Sequence, residues 1–549
     1  MPDLARILDG LDGAPYARLA QLRGRSPLGP GVELVVARVQ PDPFAPPSRL
    51  ELHVDPPTAA LDPADAAHPD RARALASLLA RTAAATGGPF RIDAGGQEVL
   101  TRSSAEVGPD GAVVLRFGYS FPGPRRRVDA RAVRRDLLHR LPELARTCLR
   151  APVLDPDALT RFLDTVEDAA HLRRALPGLG LVAFVADGAV LPRRSGVDDR
   201  PAERAVPFRS PESLRVTVEL PRRGPVSGMG VPEGVTVVVG GGFHGKSTLL
   251  RALELGVYDH VPGDGRELVV TRPAAVAVRA EDGRAVTAVD VSTYVSGLPG
   301  GLDPSRFSTA DASGSTSQAA AVAEAWEVGS PLLLIDEDTA ATNLMVRDAR
   351  MQRLVEKAAE PLNPLVDLVR PMHREHGVST VLVVGASGDF LDVADRVLLL
   401  QDYVCSDVTG RAREVAALAT GRRVEAGSPR PPRPRVPDPT SVRPAGDRVK
   451  LAARGTDTLR LGETDVDVRS VRQLTDAAQV LGVGRALLLA VDRGLLDGRR
   501  TLAELCPLLA AELAGPTGSW ADPGGGDVAV PRMVDLVAVL SRTRGLRVL

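Results

Sequence analysis

The feature that most constrains this chain is the string GGGFHGKST at residues 240–248. It follows the β-branched run VTVVV and precedes the helix-forming string STLLRALEL. A strand, a glycine-rich loop and a helix in this order, with the spacing G-x-x-x-x-G-K-[ST], predict a phosphate-binding loop. Glycines let backbone N–H groups turn toward phosphate oxygens, and the helix N-terminus adds positive potential. The sequence therefore predicts a nucleotide site.

The residues of this loop have separate predicted roles. Lys246 is expected to reach the β- and γ-phosphates, and Ser247 is expected to bind Mg²⁺. The chain has only three lysines among its 68 basic residues, so a chance match to the motif is improbable. His244 could touch the nucleotide or an opposing subunit, or it could simply fill the loop. The other predicted contacts are Gly240, Gly241, Gly242, Phe243, Gly245 and Thr248.

A second motif is the string PLLLIDED at residues 331–338. Its apolar run predicts a buried strand, and Asp336 at the end of that strand would hold Mg²⁺. Glu337 would then polarise an attacking water as the general base. A solvated acidic turn is the alternative for this string taken alone. The preceding phosphate loop favours the catalytic interpretation.

Between these two motifs lies DASGSTSQAAAVAEAWEVG at residues 311–329. Ser313, Gly314 and Ser315 precede a helix predicted to run from about Thr316 to Gly329. Small side chains and free N–H groups at a helix N-terminus form a second anion site. Because the phosphate loop already wraps its own nucleotide, we expect this site to serve a nucleotide held by another subunit. An ordinary helix-capping turn is the alternative.

The order of these motifs resembles the ATP-binding cassette (ABC) class of ATPases. Further strings resemble the soluble, non-transporter family described as predicted ATPases of the ABC class. These strings are DPFAPPSR, GGGFHGKSTLLRALELGVYDHVPGDGRE, DASGSTSQAA, LIDEDTAATNLMVRD and VVGASGDFLDVADRV. The resemblance implies a head-to-tail homodimer that holds two ATPs between each phosphate loop and the opposing Ser-Gly motif. One mitochondrial relative is tied to RNA editing, so RNA is a candidate partner by analogy.

Composition and hydrophobic patterning predict three domains. Residues 1–165 combine strands and helices into an α+β domain, and residues 166–424 alternate short apolar strands with helices as an α/β domain around the phosphate loop. The resemblance implies that this central domain is a P-loop domain of ABC type. Clustered Pro and Arg at 425–447 predict an extended linker. Residues 448–549 predict a small α+β C-terminal domain. The fold class is therefore α/β, with a P-loop NTPase at its centre.

The chain departs from the general ABC pattern at two points. No glutamine lies between Thr248 and Ser317, where the ABC pattern has the glutamine that links Mg²⁺ to the coupling helix of a transporter. This absence argues against coupling to a transporter. After the strand TVLVV, where the ABC class places a histidine, this chain has GASGD. Either Ser387 or Asp389 is then the candidate γ-phosphate sensor, or hydrolysis is slow.

Charge and composition narrow the range of possible partners and cellular compartments. The net charge of −1 removes any argument for a globally basic nucleic-acid binder, although local patches remain open. Arg193, Arg194 and the string RRR at 125–127 are candidates for a basic channel, with Tyr119 and Phe121 as candidates for stacking on bases. Three widely spaced cysteines, no long apolar run and no secretion-type start predict a cytoplasmic protein without a membrane partner.

The leading hypothesis is an ATP-hydrolysing homodimeric switch with slow turnover, in which Lys246 and Glu337 are catalytic. One alternative is an RNA or DNA clamp gated by ATP, and another is a nucleotide-dependent scaffold with negligible turnover.

The turn RAEDGR, which includes Glu281 and Arg284, could form a lid, although a solvated turn is the favoured interpretation.

Overall fold

The computed structural model describes residues 4–443 and 449–549, which divide into two compact units. The first unit comprises Met1–Glu167, His260–Pro262 and Leu513–Val530. The second comprises Asp168–Asp259, Gly263–Glu512 and Pro531–Leu549. The end of the predicted linker, residues 444–447, and residue 448 lie outside the described residues.

The first unit contains an antiparallel sheet of six strands and helices against one face. The strand order is β1-β2-β3-β7-β4, and β6 also pairs with β7. The strands are β1 Gly24–Gly29, β2 Val32–Arg38, β3 Ser48–Val54, β4 Phe90–Arg91, β5 Glu98–Val99 outside this sheet, β6 Ala105–Val107 and β7 Val113–Tyr119. The helices are α1 Leu4–Asp9, α2 Pro56–Ala59, α3 Pro63–Ala67, α4 Pro69–Ala85, α5 Ala130–Arg135 and α6 Leu141–Cys148, and a π-helical turn, Asp136–Arg140, joins the last two.

Strand β3 shows why this sheet has one dry face. Ser48, Leu50, Leu52 and Val54 are buried, and the residues between them are not, as the two-residue period of a strand requires. Helix α4 begins with Pro69, whose fixed φ suits the first helical turn, and it buries Leu75 and Leu79. These side chains share one hydrophobic core. The predicted strands and helices of this region are confirmed.

A helix, α7 Pro156–Ala175, contains the boundary between the two units. The second unit is built on a six-stranded sheet with the order β16-β19-β20-β13-β21-β22. Its first five strands are parallel, and β22 is antiparallel to β21. The strands are β13 Val235–Val239, β16 Val276–Val278, β19 Leu332–Asp336, β20 Ser379–Val383, β21 Arg396–Gln401 and β22 Val404–Asp407.

The central strands of this sheet are buried along most of their length, as apolar runs in a parallel sheet predict. Helices follow or precede them: α8 Lys246–Leu255, α9 Gly314–Glu327, α10 Thr342–Met345, α11 Ala349–Leu354, α12 Leu365–His376 and α13 Thr409–Ala416. The predicted α/β class is confirmed.

Smaller sheets complete the second unit. An antiparallel sheet has the order β11-β12-β8-β15, and two hairpin-like pairs join β9 to β10 and β17 to β18. The strands are β8 Leu181–Ala186, β9 Arg193–Ser195, β10 Asp198–Pro201, β11 Arg215–Leu220, β12 Gly224–Pro232, β15 Val269–Thr271, β17 Arg284–Val289 and β18 Phe307–Ala312. The short strand β14 Asp259–His260 lies outside these sheets, and its second residue belongs to the first unit. Within the described ranges, no helix combines the length and apolar character needed to cross a bilayer.

The predicted linker is extended but not loose. Only one short helix, α14 Pro439–Val442, interrupts residues 421–443. Arg435 is 2% exposed, and its backbone N–H and Nε donate to Glu327 at 2.6 and 2.8 Å. Its guanidinium also donates to Ser541 Oγ at 3.0 Å. The contacts of Arg435 with Glu327 and Ser541 thus hold this Pro-rich segment in place within the second unit.

The C-terminal region contains a three-stranded antiparallel sheet followed by helices. The strands are β23 Leu451–Arg454, β24 Thr458–Leu461 and β25 Thr464–Asp467, and the helices are α15 Ala477–Asp492, α16 Leu502–Leu513 and α17 Met533–Ser541. Asp476 caps α15 in a capping box with Gln479. The segment Leu513–Val530 belongs to the first unit, where Ser103 N–H donates to Val528 O at 2.9 Å.

Candidate functional site

The glycine-rich loop lies between β13 and α8, as its sequence predicts. Gly240 has φ +148°, and a Cβ at this position would lie 2.2 Å from the carbonyl oxygen of Leu400. Gly245 has φ +96° and caps the N-terminus of α8. Both positions therefore require glycine, one because of the close approach of β21 and both because of their left-handed backbone. The loop residues 240–248 are brought together at the carboxyl edge of the parallel sheet.

Lys246 folds back over this loop. Its Nζ donates to the carbonyl oxygens of Gly240 and Gly241 at 2.7 Å each. The ammonium group is thus placed beside the first residues of the loop, and one of its three N–H bonds is left for another acceptor. Ser247 is exposed in the first turn of the helix, and Thr248 is half-buried.

His244 is held by the turn between β21 and β22. Its Nδ1 accepts a hydrogen bond from the Asp402 N–H at 2.9 Å. Asp402 and Tyr403 have positive φ angles of +49° and +66°, and the Tyr403 ring lies 3.3 Å from where a Cβ on Gly245 would be. These contacts favour the loop-supporting role of His244. Tyr403 was missed by sequence reasoning, because its proximity to the loop depends on the pairing of β21 with β13.

Phe243 occupies the tip of the loop. Its φ is +63°, an uncommon conformation for an aromatic residue, and its side chain is 99% exposed. An aromatic ring in that position leaves its apolar surface in water.

The acidic motif lies at the same edge of the sheet. Asp336 is the last residue of β19, which pairs in parallel with β20, and β20 pairs with β13. The carboxyl ends of parallel strands share one edge, so the phosphate loop, the acidic motif and the loop after β20 face the same crevice. Asp336 Oδ1 accepts a hydrogen bond from the Asp338 N–H at 3.3 Å, which leaves Oδ2 for another partner.

Glu337 is bound by the loop after β20. Its Oε2 accepts hydrogen bonds from the Gly385 and Ala386 N–H groups at 2.6 and 2.9 Å, and its Oε1 accepts one from the Ser387 hydroxyl. Burial alone would raise the pKa of Glu337, but the hydrogen bonds from Ser387, Ala386 and Gly385 lower it below its usual value. Glu337 is therefore an ionised carboxylate at neutral pH.

The two candidate sensor residues have different surroundings. Ser387 contacts Glu337, whereas Asp389 lies 3.8 Å from the Arg422 guanidinium. Burial raises the pKa of Asp389 and outweighs the opposing effect of Arg422. The structure thus brings Ser387 to the acidic motif and leaves Asp389 beside Arg422.

Ser313 is the N-cap of α9, which begins at Gly314, two residues earlier than predicted. The Ser313 Oγ lies 3.3 Å from Ser315 Oγ and 3.1 Å from Thr316 Oγ1, and it accepts no hydrogen bond from the first-turn backbone. In the described part of the chain, no hydrogen bond or ion pair joins this helix start to the phosphate loop. The two anion-binding features of one chain do not complete a single site.

The turn RAEDGR packs against α9, so the favoured interpretation of a solvated turn is wrong. The Glu281 N–H donates to Ser317 Oγ at 2.8 Å, and the Glu281 carboxylate forms an ion pair with Arg542 in the turn after α17. Arg284 is 6% exposed and pairs with Glu324 of α9. Helix α9 is therefore joined to this turn, and through the Glu281–Arg542 ion pair to the C-terminal end of the chain.

Four of the residues singled out for nucleic-acid contact are buried or paired within the chain, namely Tyr119, Phe121, Arg193 and Arg194. Tyr119 and Phe121 are buried in the core of the first unit, so stacking on bases is wrong for both. Arg193 pairs with Asp264 at 2.8 Å and Arg194 with Glu203 at 2.9 Å. Their charges are neutralised within the chain.

Residues present at the crevice fit Mg²⁺. The Ser247 hydroxyl and the Asp336 carboxylate offer the oxygen ligands that this ion prefers. Among the residues described, no three His, Cys, Asp or Glu side chains form a metal site of their own.

Comparison with known families gives three matches that together span most of the chain. Residues 155–432 match the P-loop domain of the ABC ATPase family model, and residues 1–151 match the model described as ATPase of the ABC class N-terminal. Residues 450–549 match the MRB1590 C-terminal domain.

Two individual proteins show more limited similarity. An uncharacterized protein of Methanocaldococcus jannaschii, MJ1628, is 30% identical over 258 residues, which cover 45% of this chain and 56% of that protein. The chain thus spans just over half the length of this curated relative. A bacterial Atm1-family ABC exporter with ATP bound matches 44% of this chain and 43% of its own at 15% identity, with a TM-score of 0.24 that is too low to support a structural argument.

Proposed function

Because this chain belongs to the ATPases of the ABC class, we propose that it binds ATP with Mg²⁺ and acts as a homodimeric switch that hydrolyses ATP slowly. The observation that carries the proposal is the shared crevice. There, Lys246 on the glycine-rich loop follows β13, and the carboxylates Asp336 and Glu337 follow β19. These two strands flank β20 in one parallel sheet.

Each residue of the crevice has a part in this proposal. The loop N–H groups and Lys246 bind the phosphates of ATP, and Ser247 and Asp336 would hold Mg²⁺. When bound, the ion neutralises charge on the β- and γ-phosphates. Glu337 accepts a proton from the attacking water. Its ionised state at neutral pH suits a base.

The hydrogen bonds of Glu337 support the proposal of slow turnover. Both carboxylate oxygens already accept hydrogen bonds from the loop after β20. Each such bond lowers the basicity of the carboxylate, and a water can bind only by sharing or replacing one. The same observation favours the second candidate function, a nucleotide-dependent scaffold with negligible turnover. A phosphate-release assay on the purified protein separates the two.

The homodimer is proposed because one chain offers two incomplete sites. Ser313 and the first turn of α9 have no partner in the phosphate loop of the same chain, and Phe243 exposes its ring at the tip of that loop. A second copy that places its Ser313–Ser315 segment over the nucleotide would cover both features. Sedimentation of the protein with and without ATP tests this, and a monomer at saturating ATP contradicts it.

The contacts between α9 and the C-terminal end of the chain would transmit the conformational change of the switch. Glu281 and Arg542 pair beside the first turn of α9, and Arg435 joins Glu327 at the other end of this helix to Ser541. Such buried charges resist separation, because breaking one leaves an unpaired ion. A displacement of α9 upon closure would therefore be transmitted to α17.

Replacing Ser387 by alanine is expected to raise kcat by roughly tenfold and leave KM unchanged, because one charge-assisted hydrogen bond is worth about 1.5–3 kcal/mol. Its loss frees Oε1 of Glu337, raises the basicity of the carboxylate and leaves the two backbone N–H contacts in place. Steady-state phosphate release measures the effect. Ser387→Thr keeps the hydroxyl and is the matched control. A fall in kcat would show instead that Ser387 acts on the γ-phosphate.

A further inference from the structure

Three arginines form a row across the sheet of the first unit. Arg38 lies opposite Arg49 on β2 and β3, and Arg49 lies opposite Gly118 on β7. Gly118 in turn lies opposite Arg91 on β4. Residues that are directly opposite project from the same face, so four adjacent strands carry Arg38, Arg49, Gly118 and Arg91 in one line. This is the face away from the buried side chains of β3.

The row is electrostatically costly in the absence of a ligand. Like charges directly opposite each other destabilise a sheet, and neighbouring strands are only about 4.8 Å apart. The register of β2 shifts between Val36 and Arg38, and this irregularity is what sets Arg38 opposite Arg49. Bulges of this kind commonly re-aim a side chain next to a functional site.

Two of the three guanidinium groups have no counter-ion. Arg49 pairs with Asp522 at 3.0 Å and Asp527 at 3.6 Å. The guanidinium groups of Arg38 and Arg91 form no hydrogen bond or ion pair with any residue in the described ranges. The nearby carboxylate of Asp93 is bound by Arg102 at 2.8 Å. The row therefore carries uncompensated positive charge in a chain whose net charge is −1.

A cavity of about 390 Å³ lies over this row. Its walls combine the three arginines with apolar side chains, notably Pro46, Pro47 and Ile92. Gly118 leaves a gap between Arg49 and Arg91, and a Cβ there would lie 3.2 Å from Pro47 Cβ. The volume falls within the range of small-molecule sites, about 300–1,000 Å³.

A glycine-rich segment forms one side of the cavity. Gly524 has φ +67°, and a Cβ there would lie 2.6 Å from Ala37 Cβ and 3.2 Å from Arg49 Cβ. The segment can lie directly against the arginine row only because it lacks side chains at this point. Asp527, which follows it, faces the same cavity.

We propose that this cavity binds a phosphorylated ligand. Arg38 and Arg91 contact its phosphate, because planar guanidinium groups donate paired hydrogen bonds to phosphate oxygens. The apolar part of the ligand lies against the two prolines and Ile92. A free phosphorylated small molecule and the backbone of a single-stranded nucleic acid share this chemistry. The proposal does not depend on ATP hydrolysis.

The test compares anion binding by the full chain with and without the two unpaired guanidinium groups. All proteins carry Lys246→Ala, so that the phosphate loop does not bind the probes. Titration calorimetry with pyrophosphate and fluorescence anisotropy with labelled oligouridine distinguish a small ligand from a nucleic-acid strand. The double substitution Arg38→Gln and Arg91→Gln is expected to weaken binding of the recognised probe by roughly tenfold or more, since charge-assisted bonds are about twice as strong as neutral ones.

Arg6→Gln with Arg131→Gln is the matched control, because it removes the same charge from exposed arginines of the same unit that lie on α1 and α5 and not on the sheet. It is expected to leave the affinity within about twofold, since distant exposed charges are screened by salt. The melting temperature of the Arg38 and Arg91 double variant should be unchanged or higher, because a like-charge row is relieved. If neither probe binds the parent protein, or if both double variants bind equally well, the proposed site is wrong.

Discussion

Replacing Lys246 by alanine is expected to weaken ATP binding by roughly 100-fold, because a hydrogen bond to a charged group is worth about 1.5–3 kcal/mol and every 1.4 kcal/mol is tenfold in affinity. The ammonium lies at 2.7 Å from the carbonyl oxygens of Gly240 and Gly241, at the start of the loop that would surround the phosphates. Its loss removes both the charge and the contacts that hold the loop. Calorimetric titration with ATP and Mg²⁺ measures the effect.

Lys450→Ala is the matched control for this experiment. Lys450 is another of the chain's three lysines, it is exposed, and its side chain forms no hydrogen bond or ion pair within the described ranges. We expect this variant to bind ATP like the parent protein. Unchanged affinity in Lys246→Ala would remove residues 240–248 as the nucleotide site.

Replacing Glu337 by glutamine is expected to reduce phosphate release by roughly 100-fold or more, the usual contribution of a general base. A glutamine side chain can keep the local geometry, because its Oε1 accepts from the Gly385 and Ala386 N–H groups and its Nε2 donates to Ser387 Oγ. ATP binding should therefore persist. With hydrolysis blocked, ATP is expected to hold two copies together, and sedimentation should show a stable dimer.

Glu356→Gln is the control, because Glu356 is exposed and lies outside the crevice. Two outcomes contradict different parts of the proposal. A Glu337→Gln variant that stays monomeric with saturating ATP contradicts the dimeric switch. A variant that releases phosphate at the parent rate contradicts Glu337 as the base and leaves the dimer unaffected.

The local motifs were predictable because each is a short string whose spacing fixes its chemistry. The strand before the phosphate loop ends at Val239 and the helix after it begins at Lys246, as the glycine and lysine spacing requires. The strand that ends in Asp336 was equally predictable, because its residues form an apolar run. The predicted ends of helices were less accurate. Helix α9 begins at Gly314, directly after its N-cap Ser313, and not near Thr316 as predicted.

Contacts between distant segments were not predictable. Ser387 and Glu337 are 50 residues apart, and only the parallel pairing of β19 with β20 brings their loops together. Tyr119 and Phe121 were expected at a surface because arginines follow them, but the pleat of β7 and the packing behind it turn both rings into the core. The Pro-rich segment has no apolar pattern, so its sequence did not indicate that it packs against the rest of the chain. Ion pairs such as Arg435–Glu327, and not apolar burial, hold it in place.

The sequence by itself determined the P-loop architecture and the α/β class, since these depend on backbone requirements and hydrophobic period that are read along the chain. It also indicated the family, through the resemblance of its motif strings. Only the tertiary structure decided which groups surround Glu337, where the RAEDGR turn lies and which arginines share a row. Those facts depend on strand order and register, and register pairs residues according to the whole fold. The row of Arg38, Arg49 and Arg91 shows this most directly, because its members lie on three separate strands of one sheet.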